Sequence, residues 1–185
     1  MSFFVIYIMV KPRFIKLSLG MLLFLGACAA YDAASEGLWK ATEPSKVGEG
    51  DENRLKPANF RLWRLNEAQL QTQLQEAGWS MEQGKSLFIP NPSGDYTVFI
   101  LWKNRTVDSA LVAKYPNLQT YQGVAQGNSQ VKLRLENASA GLQAMVTAPE
   151  GTWYLAPYNQ NKHVYMAFKK QDLPQGTRYL EMPNP

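Results

Sequence analysis

The sequence predicts a mainly β domain: an antiparallel meander, sandwich-like or curled into a sheet, with one or two short helices. Three observations carry this. Val131, Leu133 and Leu135 alternate with Lys132, Arg134 and Glu136, the period of a strand with one buried and one wet face. Two turn sequences, Asn91-Pro92-Ser93-Gly94 and Pro149-Glu150-Gly151, sit between apolar runs of strand length. Those runs are rich in β-branched and aromatic residues.

Taken in chain order, the first element is a helix. Asn66 is placed as its N-cap, with Gln69 three residues on to complete a capping box. Leu65 and Leu70 flank the cap as a hydrophobic staple, and Leu70, Leu74 and Ala77 make a buried stripe before Gly78 stops the helix. Ser86 to Ile89 then forms a strand that turns through Asn91 to Gly94. Tyr96 to Trp102 is apolar on both faces and reads as a central strand covered twice. A second short helix starts at Asp108, with Val107 and Val112 as its staple, and ends before Pro116. Leu142 to Ala148 and Thr152 to Tyr158 form a hairpin across Pro149 to Gly151, where Pro presets the turn and Gly accepts a positive φ. Val164, Met166 and Phe168 continue the alternation. The expected core is Leu62, Val98, Ile100, Val131, Leu133, Leu135, Val146, Met166 and Phe168.

The N-terminal part is of another kind. Leu17 to Ala27 is mostly Leu, Met, Phe, Gly and Ala. It is too short to span a bilayer and ends in small residues, as a secretory signal does. Lys11, Arg13 and Lys16 precede it as the basic segment. Ser2 to Val10 adds a second apolar run before them, so translation starts either at Met1 or at Met9. The run closes on Leu25, Gly26, Ala27 and Cys28, the chain's one cysteine. This sequence resembles the lipobox of bacterial lipoproteins. The resemblance implies cleavage before Cys28, which then carries lipid on sulfur and nitrogen. It further implies the cell envelope, and, because Ala29 is not aspartate, the periplasmic face of an outer membrane where the cell has one.

Loss of the signal takes three positive charges with it, so a formal net charge of +4 falls to +1 from Cys28 onward. With no basic cluster beyond Lys169-Lys170, nucleic acid is not an expected partner. Residues 28–57 carry few large apolar side chains and several breakers, which reads as a tether with a span of about 30 Å. Trp39 is the exception, placed to touch lipid or the domain. The expected organisation is a signal peptide over 1–27, the tether over 28–57, a β domain over 58–173 and a tail over 174–185.

Catalytic patterns are sparse. The one histidine, His163, stands in a strand pattern without a neighbouring metal ligand, and neither a His-Glu-x-x-His run nor a Cys/His cluster occurs. No serine sits in a nucleophile-elbow context, and no Gly-rich loop opens a helix. Asp95, Asp108 and Glu136 read as a turn residue, a helix cap and a wet-face charge. Trp63, Trp79, Trp102 and Trp153 can stack on sugars or bases, but large aromatics of strands mostly pack in cores.

Three segments in order resemble the N-terminal propeptide region of bacterial secreted reprolysin-like zinc metalloproteases. They are Leu87-Phe88-Ile89-Pro90-Asn91-Pro92-Ser93-Gly94 running into Phe99, Lys114-Tyr115-Pro116 running through Tyr121-Gln122-Gly123, and Gly141-Leu142 running through Pro149-Glu150-Gly151-Thr152-Trp153-Tyr154 to Tyr158. The likeness spans about Phe60 to Leu173. It implies a fold and a partner surface but no peptidase activity, because none of that family's zinc-binding catalytic residues has a counterpart in this sequence. A cysteine-switch mode of inhibition is not expected either, with Cys28 committed to lipid.

Two expectations for function follow. One is a membrane-anchored, non-catalytic binding module that masks, chaperones or docks an exported protein such as a metalloprotease. The other is a structural or ligand-binding envelope lipoprotein unrelated to proteases. Neither requires a cofactor or a metal. For the first, Tyr115, Tyr121, Trp153, Tyr154 and Tyr158 are the candidate partner-binding residues, since exposed aromatics anchor interfaces and a sheet edge can accept a partner strand.

Overall fold

Nine antiparallel strands form a single sheet in the computed structural model, which describes residues 37–44, 55–104, 117–159, 163–177 and 179. The strands are β1 (Trp39–Thr42), β2 (Arg61–Leu65), β3 (Lys85–Pro90), β4 (Tyr96–Lys103), β5 (Gln119–Ala125), β6 (Asn128–Ala138), β7 (Gly141–Ala148), β8 (Gly151–Pro157) and β9 (Val164–Lys169). The order across the sheet is β1-β2-β9-β8-β7-β6-β5-β4-β3. Strands β3 to β9 are thus a consecutive meander, and β2 returns to pair with β9. One helix, α1 (Glu67–Glu76), carries the chain from β2 near one edge to β3 at the other.

That crossover is short because the sheet curls until its edges meet. The indole N–H of Trp39 in β1 donates to the Phe88 carbonyl in β3 at 2.8 Å. The Tyr96 hydroxyl donates to the Trp39 carbonyl at 3.4 Å, and the Tyr96 ring lies 5.1 Å from that of Trp63. Leu70 and Leu74 of α1 and Ala77 just after it join the inner core, so the helix closes one end of the curl. The Gln69 amide donates to the Asn66 side chain at 3.2 Å, the N-cap bond expected from the sequence. Gly94 and Gly151 take φ of +100° and +132°, which is why both turns need glycine.

Alternation sorts the apolar side chains onto two faces. Inside lie Trp39, Trp63, Leu87, Ile89, Phe99, Leu101, Tyr121, Leu133, Leu135, Val146, Leu155 and Tyr165. A second core covers the outer face of β2, β9 and β8: Leu62, Tyr154, Ala156, Val164, Met166 and Phe168, capped by Leu55, Phe60, Leu173 and Tyr179. The strand covered twice is therefore β9, whose residues from Val164 to Phe168 are all buried.

This corrects the reading of Tyr96 to Trp102 as central. Strand β4 stands second from the edge. Phe99 and Leu101 are buried inside, but Val98 and Ile100 face outward and are only half-buried. The reason is topological: the outer cover comes from the segments just before β2 and just after β9, which reach only that side of the sheet. Trp39 settles the other way. It is buried in β1, an edge strand formed within the stretch 28–57 read as a tether. The expected second helix from Asp108 lies outside the described residues.

Candidate binding surface

The expected partner-binding aromatics separate into distinct environments. Tyr121 points into the curl, and its hydroxyl sits 3.4 Å from the Leu74 carbonyl at the helix end and 3.2 Å from Gln119 Oε1. Burial pushes its pKa up. It holds α1 to the sheet and is unavailable to a partner. Tyr154 is on the outer face, buried against Phe168 and beneath Tyr179, with ring separations of 5.6 and 5.3 Å. Trp153 and Tyr158 are half-buried: Trp153 packs on the inner core at the end opposite α1, and Tyr158 lies 5.8 Å from Phe60. Tyr115 lies outside the described residues, as do Leu25, Gly26, Ala27 and Cys28.

Of the titratable residues weighed from sequence, His163, Glu136 and Asp95 fall within the described residues and Asp108 lies outside them. His163 Nδ1 lies 3.4 Å from Glu67 Oε1 on an exposed surface at the N-terminus of α1. Glu136 pairs with Arg134 at 2.6 Å on the outward face of β6. Asp95 is exposed in the β3-β4 turn, where its backbone amide donates to the Asn91 side chain. Among the described residues no group of three metal-ligating side chains comes together.

The end of the curl away from α1 carries two shallow grooves. One, of about 480 Å³, is lined by Asn59, Arg61, Lys169 and Asp172 among others. The other, of about 400 Å³, is lined by Glu150, Trp153, Lys169 and Lys170 among others. Asp172 is already engaged: its carboxylate accepts from the Asn59 side chain at 3.0 Å and from the Lys169 amide at 3.3 Å. Arg61 and Lys169 are the cationic side chains of the first groove, and Lys169 and Lys170 lie with Glu150 beside Trp153 in the second.

The helix-capped end differs. Trp79 and Met81 are 51 % and 50 % exposed, the large apolar side chains that stand out into solvent among the described residues. Lys103 Nζ lies 5.5 Å from the Trp79 ring centre. Trp79 was legible only as one aromatic among several. Its distinguishing signal is position: it follows the end of α1, outside any strand alternation. No family model matches the chain, and neither a curated protein nor a solved structure does.

Proposed function

We propose that this protein is a non-catalytic envelope lipoprotein, held at a membrane by acylated Cys28, whose β domain binds an exported protein such as a metalloprotease, masking or chaperoning it. The observation that carries the reading is Leu25-Gly26-Ala27-Cys28 at the end of a short apolar run behind a basic segment. In a cell with two membranes, Ala29 favours the periplasmic face of the outer one.

The non-catalytic part is supported by where the titratable groups sit. Catalytic acids and bases cluster in clefts with perturbed pKa values. Among the described residues the strong upward shifts belong to Tyr165 and Tyr179, packed in the two cores, and burial is the leading cause of each. Asp95 stands in a surface turn and Glu136 in an ion pair with Arg134. Of the candidate anchors, Trp153 and Tyr158 are the described ones with accessible surface, the first beside the inner core and the second beside the outer one. The alternative, a ligand-binding envelope protein, draws on the groove lined by Trp153 and Lys169.

The test has two arms. Cys28→Ser should move the protein from the membrane to the soluble fraction or leave it unprocessed. Normal processing and full membrane retention of that variant would refute lipid anchoring. In the second arm, a reprolysin-like protease of the same organism is assayed and refolded with and without the protein. Unchanged activity, unchanged refolding and no co-purification would leave the ligand-binding alternative.

A further inference from the structure

The geometry points to the helix-capped end of the curl as a membrane-docking face, with Trp79 and Met81 inserted into the interface of the bilayer that holds the anchor. The inference rests on the reading of Cys28 as the lipid attachment site. It commits to that bilayer as occupant for two reasons.

The first is where the chain leaves the domain. Asn66 caps α1, its amide donates to the Leu38 carbonyl at 2.9 Å, and its side chain donates to the Gly37 carbonyl at 3.4 Å. The polypeptide toward Cys28 therefore departs beside the N-terminus of α1. The nine residue steps from Cys28 to Gly37 reach at most about 30 Å when fully extended. Where Cys28 is acylated, a leash of that length lets this end, to which it is attached, reach the lipid surface.

The second is what that end displays. Trp79 and Met81 follow α1 and lie against the end of β4: the Lys103 amide donates to the Gly78 carbonyl at 2.8 Å, and the Gly84 amide donates to the Met81 carbonyl at 3.0 Å. Gly84 sits so close to Ile100 that a Cβ there would come 2.6 Å from its Cγ2, which sets the turn after Met81 directly against β4. An amphipathic indole with a lysine over its ring is suited to the headgroup region. Neighbouring charges balance, with Glu76 and Glu82 against Lys85 and Lys103, so attraction to anionic lipid is not what drives it. Two apolar side chains are too few to hold a free protein on a membrane. For a chain already anchored, insertion is an intramolecular event at high effective concentration, and two are enough.

The full chain, extracted from its membrane and reconstituted into phosphatidylcholine vesicles with or without bromine on the acyl chains, tests this. Bromolipid should quench part of the tryptophan emission, and Trp79→Phe should lose most of that quenching. Trp153→Phe, at the opposite end, should keep it, and raised salt should leave it unchanged. Equal quenching in wild type and Trp79→Phe, or its loss in Trp153→Phe instead, would overturn the docking while leaving the anchor intact. A free Cys28 thiol, found by mass spectrometry in the same preparation, would overturn the anchor itself and the docking with it.

Discussion

Trp39 and Phe88 lie at opposite ends of the strand order, yet the Trp39 indole N–H donates to the Phe88 carbonyl at 2.8 Å. One side chain thus ties the first strand of the sheet to the last. It also satisfies a carbonyl that an edge strand would otherwise present to any passing chain.

Trp39→Phe keeps the aromatic bulk but removes that donor. The loss of one partly buried hydrogen bond should lower stability by about 1 kcal/mol, read as a lower urea midpoint with an unchanged slope. Amide exchange should quicken in β1 and β3 ahead of the sheet centre. An unaltered midpoint and unaltered edge exchange would show that the seam holds without this bond.

Neighbouring residues of β4 should behave oppositely. Phe99 is fully buried inside the curl, whereas Ile100 faces outward and is half-buried. Phe99→Ala should cost about 3 to 5 kcal/mol, and Ile100→Ala well under half of that. Similar losses would restore the reading of β4 as covered on both faces.

Much of the sheet was legible because its signals are local. Period-two alternation located Val131, Leu133 and Leu135 inside, where they are buried, and the Pro149 to Gly151 turn set the β7-β8 hairpin. The Asn66 cap and the Leu70, Leu74 and Ala77 stripe located α1. What failed was global. Nothing local to Tyr96–Trp102 says which face the rest of the chain will cover, since that depends on Leu55, Phe60, Leu173 and Tyr179 meeting over β9 from distant positions. The same holds for Tyr121 and Tyr154: an aromatic in an alternating strand can face a core or a partner, and the sheet's curl placed one core on each side. Trp39 was read in a polar stretch whose average hid a four-residue strand.

Alkaline pH should weaken the fold through Tyr165. Burial pushes its pKa from 10 up to about 12, opposed by the Leu142 amide donating to its oxygen and assisted by Glu67. The unfolded chain ionises first, so the native state holds the extra proton and stability falls as pH rises from 10 toward about 12. Below pH 10 the contribution is fully present. Its loss amounts to about 2 to 3 kcal/mol across that window. Tyr165→Phe should flatten the decline in urea stability over that range, and an equally steep decline in the variant would assign it elsewhere.

Asn66→Ala removes the side-chain oxygen that accepts from the Gln69 amide. A drop of about 1 kcal/mol is expected from loss of an N-cap. Because Asn66 also meets the Leu38 and Gly37 carbonyls, exchange of β1 amides should rise with it. A neutral substitution would show that the cap is carried by the backbone alone.

The most direct measurement is mass spectrometry of the N-terminus of the protein extracted from its membrane. The expected product begins at Cys28 and carries a diacylglyceryl group on sulfur with a further acyl chain on nitrogen. At about 0.8 kcal/mol per buried CH₂, such chains hold a protein on a bilayer essentially permanently. A peptide spanning Ala27 and an unmodified Cys28 would contradict lipid anchoring.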